Sequence, residues 1–176
     1  SLEYAIVDIE TTGGTPANSK ITEIAIIITD GVKILDKYET LVNPEQKIPY
    51  NITRITGIDD AMVANSPRFF EVGKTILEYL KGRTFVAHNV NFDYGQIKRE
   101  YQDLGFEFEA SKLCTVRMSR KVFPGLPSYS LGKLSKSLGV ELTQHHRAMA
   151  DTAATTEIFH MILEKDKEAQ EVDLLS

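Results

Sequence analysis

The residues of this sequence best suited to chemistry are carboxylates on segments that otherwise read as buried. The stretch "EYAIVDIETTGG" sets Asp8 and Glu10 on an apolar, strand-like run that ends in paired threonines and glycines. Side chains alternate along a strand, so these two acids point to one side, the side they share with Ile6. Further on, Asp93 falls on the helical stripe of Ile97, Tyr101 and Leu104, and Asp151 shares a helix face with Ala154, Ile158 and Ile162. Three segments thus aim four acids at the interior. A buried carboxylate without compensation costs on the order of several kcal/mol even after relaxation, and arginine partners for all four are hard to find. Divalent cations with oxygen ligands would resolve the repulsion. An all-carboxylate set with no cysteine and little histidine favours Mg²⁺ or Mn²⁺, and two such ions would bring the formal charge from −5 to about −1. At that charge a phosphate substrate is no longer opposed.

A base is offered by "HHRAMAD", which holds His145 and His146 just before Asp151. On one regular helix His146 and Asp151 would lie about 140° apart. They share a site only if His146 sits on the loop before the helix begins, where a histidine is well placed as a general base. Taken singly, either histidine reads as exposed, and His88 and His160 read as structural, His88 bonding backbone at a strand end.

These groups need elements to position them. Leu2 to Ile9 reads as a central strand, apolar on both faces. Ile21 to Thr29 is a second strand, turned at Asp30-Gly31 into a third over Val32 to Val42, which makes three antiparallel strands first. After Pro44 and Pro49, "NITRITGIDD" reads as a loop, followed by a helix from Arg68 to Leu80 with Phe69, Val72, Ile76, Leu77 and Leu80 inward. "TFVAHN" is a buried strand leading into a helix over Phe92 to Leu104 that Gly105 ends. "KLCTV" is a short strand, "SLGKLSKSLG" a helix with Leu131, Leu134 and Leu138 inward, and Ala148 to Leu163 the last long helix. The order is β-β-β, then alternating helix and strand.

At 176 residues, 42% hydrophobic and 26% charged, the chain suits one folded domain rather than a disordered one. The domain is placed at residues 1–165, with 166–176 a charged tail, either a fraying helix end or a linker. Cys114 stands alone, which excludes an internal disulfide, gives no case for zinc and fits a reducing, cytoplasmic setting. No apolar run approaches the length of a membrane span. Ser1 in place of Met is read as the cut end of something longer. "RMSRK", Arg117 to Lys121, is the one basic cluster and reads as a solvated helix face rather than a phosphate contact.

Together, "DIETTG" (Asp8 to Gly13), "HNVNFD" (His88 to Asp93) and "HRAMAD" (His146 to Asp151) resemble the three motifs of the DEDDh 3′→5′ exonucleases. "ITGI" and "FPGLPSYSLGKLSKSLGV" also look like the proofreading epsilon subunit of bacterial DNA polymerase III and its relatives. The resemblance runs from Tyr4 to about Leu163. It implies an α/β, RNase H-like fold, a mixed five-stranded sheet with helices on both sides. It also implies two-metal-ion hydrolysis of a terminal phosphodiester, with ions about 3.5–4 Å apart stabilising the entering and leaving oxygens. Asp8, Glu10 and Asp151 would ligate the first Mg²⁺ or Mn²⁺ ion, Asp8 would bridge to the second, Asp93 would act largely through water, and His146 would be the base. Backbone at Thr11, Thr12 and Gly13 would meet the terminal nucleotide, Ile55 and Thr56 would wedge near its base, and Phe92 would contact sugar or base. Many epsilon subunits carry histidine where this chain has Thr56, so the sugar and base preference is not carried over. The implied activity is release of nucleoside 5′-monophosphates from single-stranded or frayed DNA 3′ ends in replication or repair, by a domain of a longer polypeptide or polymerase assembly. The alternatives are an RNA or oligoribonucleotide trimming enzyme, a domain that mainly scaffolds a polymerase or fused nuclease, and an RNase H-type endonuclease.

Overall fold

A computed structural model describes the backbone of residues 2–175 and the side chains through Glu171. Five strands form one mixed sheet: β1 Tyr4–Thr11, β2 Ile21–Thr29, β3 Ile34–Leu41, β4 Thr84–Ala87 and β5 Lys112–Cys114. Their spatial order is β3-β2-β1-β4-β5. The first three pair antiparallel, whereas β4 and β5 join parallel to β1 and to each other. All nine positions of β2 are buried, which is why "ITEIAIIIT" shows no polar alternation. β3 is largely exposed, and its Asp36, Lys37 and Glu39 suit a strand at the edge.

Seven helices complete the described chain: α1 Tyr50–Thr56, α2 Asp60–Val63, α3 Phe69–Leu80, α4 Val90–Asp103, α5 Thr115–Val122, α6 Leu131–Leu138 and α7 Ala148–Leu175. The odd residues of β1, Ala5, Val7 and Ile9, pack with Ile76 and Leu80 of α3 and Ile97 and Tyr101 of α4. Ile6, on the other face, packs with Ile27, Val86 and Phe159 of α7, whose ring meets Tyr4 edge-on at 4.9 Å. The opposite face of α7 closes on α5 and α6 through Leu131, Leu134, Ile158 and Ile162. A sheet between two helical layers thus places Asp8 and Glu10 on the α7 side, at the far end of the strand that both layers cover.

Several boundaries differ from the sequence reading, for identifiable reasons. β1 begins at Tyr4 and continues to Thr11, two residues past the expected Ile9, so Glu10 as well as Asp8 lies within its C-terminal end. "NITRITGIDD" is not a loop: it holds most of α1 and opens α2, and the two cover a small separate cluster of Ile48, Ile58 and Val63. Isoleucines and threonines make α1 a poor helix by propensity, and burial against that cluster overrides it. Asp59 caps α2 by accepting from the Met62 amide, and Gly57 ends α1 in the left-handed conformation. α4 starts two residues earlier than expected, and Leu104 lies exposed beyond its end instead of on the inward stripe. β5 stops at Cys114, so Thr115 and Val116 open α5 and "RMSRK" is helical. α7 continues to Leu175, past the Leu163 at which the sequence pattern ends the last long helix. No helix among the described residues is long and apolar enough to cross a membrane.

Candidate active site

The site forms where β1 outruns its parallel neighbour. The β1–β4 ladder ends at the Ile6–Val86 pair, and β1 continues past it. There the amide of Ile9 donates to Asp93 Oδ2 at 3.2 Å, so the first turn of α4 is tied to β1 from the opposite layer. Asp8, Glu10 and Asp151 each offer an oxygen within 4.8 Å of the others'. Asp93 is buried beside them but outside that close set. Directly after Glu10 the β1–β2 register slips in a bulge, so that Thr11 pairs with Ile21, and the chain then leaves the strand in a turn at Thr12 to Gly14. Gly13 has φ 88°, a backbone conformation that favours glycine, and a Cβ there would stand 2.8 Å from the Ile52 side chain, which would have to shift.

The loop before α7 faces the acids. His146 lies off the helix with φ 71°, a conformation that β-carbon sterics penalise, as the angular argument from the sequence requires. Its amide donates to both Asp151 oxygens at 3.2 Å. The side chain that reaches Asp151, however, belongs to His145, whose Nδ1 lies 3.0 Å from Oδ1. The two imidazoles stack at 3.8 Å between centroids. His88 bonds Thr115 Oγ1 and the Tyr129 carbonyl, and His160 bonds Thr29 Oγ1, so both serve structure.

Two residues that the sequence reading overlooked anchor this loop. Glu23, the β2 partner of Glu10, is buried; its Oε1 accepts from the Ala148 amide at 2.8 Å and its Oε2 from Arg147 Nη2 at 2.9 Å. An inward acid on a strand that otherwise reads "ITEIAIIIT" was the available signal. Its partner lies 124 residues away, so no local pattern pairs the two.

The family model described as Exonuclease, of RNase T type, matches residues 5–159. This chain belongs to the exonuclease family. It is 43% identical over 166 residues to the PolC-type DNA polymerase III of Caldanaerobacter subterraneus subsp. tengcongensis, covering 94% of this chain and 12% of that protein. It is 39% identical over 164 residues to the 3′-5′ exonuclease DinG of Bacillus subtilis, covering 92% of this chain and 18% of that protein. The chain therefore spans less than a fifth of the length of these curated relatives. Among solved structures, exonuclease X in complex with 5′ overhanging duplex DNA superposes with a TM-score of 0.74 at 30% identity, covering 93% of this chain and 92% of the other. E. coli exonuclease I in complex with a dT13 oligonucleotide superposes with a TM-score of 0.83 at 19% identity, over 98% of this chain and 43% of the other, a likeness of fold. The exonuclease domain is a hydrolase on an α/β, RNase H-like frame.

Burial, reinforced by the crowding of like charges, dominates the electrostatics of the exonuclease domain's acids. Desolvation, and then the neighbouring Asp93, Glu10 and Asp151, hold the Asp8 carboxyl well above the usual range. Burial raises Asp93 as well, against the opposing pull of the Ile9 amide. Glu10 is pushed up to about 9 by desolvation, then by Asp151, Glu23 and Asp93. Among the described residues, Asp8 Oδ2 is a buried oxygen without a hydrogen-bond partner. A hard, oxygen-seeking divalent cation fits this donor set of three converging carboxylates and one orphaned oxygen. Burial, with His145 alongside, lowers His146, so it is unprotonated at neutral pH and able to accept a proton.

The remaining sequence candidates divide between surface and interior. Thr11 and Thr12 are buried; Thr11 Oγ1 accepts from the Gly13 amide, and Thr12 Oγ1 from the Lys20 amide and Gln46 Nε2. Thr12 and Gly13 border a cavity of about 560 Å³ with Asn18, Gln46, Lys47 and Ile52. Ile55 and Phe92 expose their apolar faces to solvent. Thr56 is buried, and its hydroxyl is spent at the end of α1, donating to the Ile52 carbonyl and accepting from the Ile58 amide.

Two measurements check this arrangement. Between Glu10's ordinary 4.5 and its folded value of about 9, the folded chain holds a proton that the unfolded chain has lost. Stability in EDTA is therefore full below pH 4.5 on this account and falls as pH rises towards 9. Urea titrations across that window should show the decline, and Glu10→Gln should flatten it. Glu23→Gln should lower stability by about 1–2 kcal/mol, less than a fully buried ion pair because Arg147 is partly exposed. Hydrogen exchange should then speed up at residues 146–148 with no change in β3.

Proposed function

We propose that this chain hydrolyses the terminal phosphodiester of single-stranded or frayed DNA in the 3′→5′ direction, releasing nucleoside 5′-monophosphates. The observation that carries this reading is the convergence of Asp8, Glu10 and Asp151 around one point, with Asp8 Oδ2 buried and unpartnered and Asp93 alongside. The name of DinG, a 3′-5′ exonuclease, supports the direction. Asp8, Glu10 and Asp151 would hold Mg²⁺ or Mn²⁺ at two positions with help from Asp93. Bound there, the ions supply positive charge to the entering and leaving oxygens of an in-line displacement.

The chain's own groups do the rest. His146, neutral and outside the helix, takes the proton of the attacking water, while the Glu23–Arg147 pair keeps its loop over the acids. The turn at Thr11, Thr12 and Gly13 receives the terminal nucleotide, and Ile55 and Phe92 offer apolar faces for its base and sugar. Such contacts tolerate any base and favour an unpaired end, since a duplex end must first fray. The relatives in which this domain is a small fraction of the length support a role in replication or repair within a longer polymerase-containing chain.

Strands labelled at either end and incubated with Mg²⁺, Mn²⁺ or EDTA test the proposal. Stepwise shortening from the 3′ end is expected, abolished by EDTA and by Asp8→Ala, and slower on an RNA of the same sequence. Shortening from the 5′ end, cleavage of a circular strand or indifference to EDTA would sink it. His146→Ala should lower kcat by about 10²–10⁴-fold, as for loss of a general base, and His145→Ala by much less.

A further inference from the structure

A second cavity of about 560 Å³ lies towards the same end of the sheet as the acids, and the reading above makes no use of it. Asn89 and Asn91 line it from the start of α4, Lys112 from β5, and Arg117 and Arg120 from α5. All three cations are exposed, and among the described residues none of them pairs with an acid. No acidic side chain lines the hollow. In a chain of formal charge −5, three unpaired cations around one concavity form a local positive field that an anion would relieve. Two of them are already steadied: Lys112 Nζ lies 4.5 Å from the centre of the Tyr94 ring, and the Arg120 guanidinium 5.7 Å from that of Tyr129. That support reduces the side-chain freedom lost when a ligand binds. Asn89 holds a left-handed backbone with φ 75° and makes no capping bond with its side chain, which leaves its amide group free for a ligand.

The sheet register relates this cleft to the acids. Val86 pairs with both Ile6 and Leu113, and Ala87 pairs with Cys114, so Cys114 stands level with Val7, next to Asp8. Two strand spacings separate them, about 10 Å. At about 3.4 Å of rise per nucleotide in a duplex strand, a polynucleotide covers that distance in a few units.

We propose that this cleft is the track for the nucleic-acid strand on the 5′ side of the bond being cut, with Lys112, Arg117 and Arg120 on its phosphates. Asn89 and Asn91 hydrogen-bond sugar or phosphate oxygens. The inference rests on the acid cluster being the hydrolytic site. Contacts to phosphate carry no base information, so the cleft adds affinity and length dependence without sequence preference. "RMSRK", which reads from sequence as a solvated helix face, thereby supplies two of the phosphate contacts.

The test compares Lys112→Gln/Arg117→Gln/Arg120→Gln with a charge-matched control, Lys37→Gln/Lys74→Gln/Lys81→Gln, on β3 and at α3 and its C-cap. Binding of fluorescein-labelled oligothymidylate is measured in EDTA over a range of salt. The cleft variant should bind at least about tenfold more weakly, and its slope of log K against log salt should fall by about 2, at about 0.7 per phosphate contact, while the control keeps the wild-type slope. In turnover, kcat/KM on a labelled strand should fall by a similar factor. The p-nitrophenyl ester of thymidine 5′-monophosphate has no strand upstream and should be cleaved at the wild-type rate. An unchanged slope in the cleft variant, an equal change in the control or an equal loss on the ester overturns the assignment. If the wild type hydrolyses neither substrate, the exonuclease reading fails on its own account, and the binding slopes still decide the cleft.

Discussion

Carboxylates of like charge held together at the end of a covered strand are the constraint on which the rest of this structure depends. Asp8, Glu10 and Asp151 repel one another, and Asp93 adds a fourth negative charge nearby. In water such a set would separate, so the fold must hold it by other means. The Ile9 amide engages Asp93, the His146 amide engages Asp151, and Asp8 retains an oxygen with no partner. Protons neutralise the set when nothing else does, which is why Glu10 stays protonated far above its ordinary range. The site stores electrostatic free energy that a divalent cation would release.

That storage needs rigid surroundings on both faces of the sheet. β1 is the central strand, covered by α3 and α4 on one side and α7 on the other, and the acids are set where both layers reach its end. Asp93 arrives from one layer and Asp151 from the other. The loop carrying the histidines has a strained residue, His146, and is tied to β2 by the buried Glu23. Strain persists where the surrounding contacts over-determine the backbone, and here the Glu23 carboxylate does so by accepting from Arg147 Nε and Nη2 and from the Ala148 amide.

A formal charge of −5 looks ill-suited to a polyanion, but the charges are sorted in space. Acids gather at the end of β1, and unpaired cations gather round a hollow at the ends of β4 and β5. Net charge describes long-range solubility and steering; the local field at a phosphate depends on which side chains line its path.

The acid set was legible in the sequence because each acid obeys a local rule: strand alternation for Asp8 and Glu10, helical spacing for Asp93 and Asp151. The same rules placed five strands and located the main helices, and the angle between His146 and Asp151 forced the histidine off the helix. Short-range rules failed where burial outweighs propensity, as in α1, and where a charged surface continues a helix, as in α7. They were also silent on partners distant in sequence. Which histidine ring bonds Asp151, that Glu23 answers Arg147, and that Lys112 joins Arg117 and Arg120 around one hollow all follow from how the layers pack. The sequence by itself determined which acids face the interior and which way each points, since the backbone period dictates that within a few residues. Only the tertiary structure decided which of them meet, because contacts between distant segments are set by packing and not by any period along the chain.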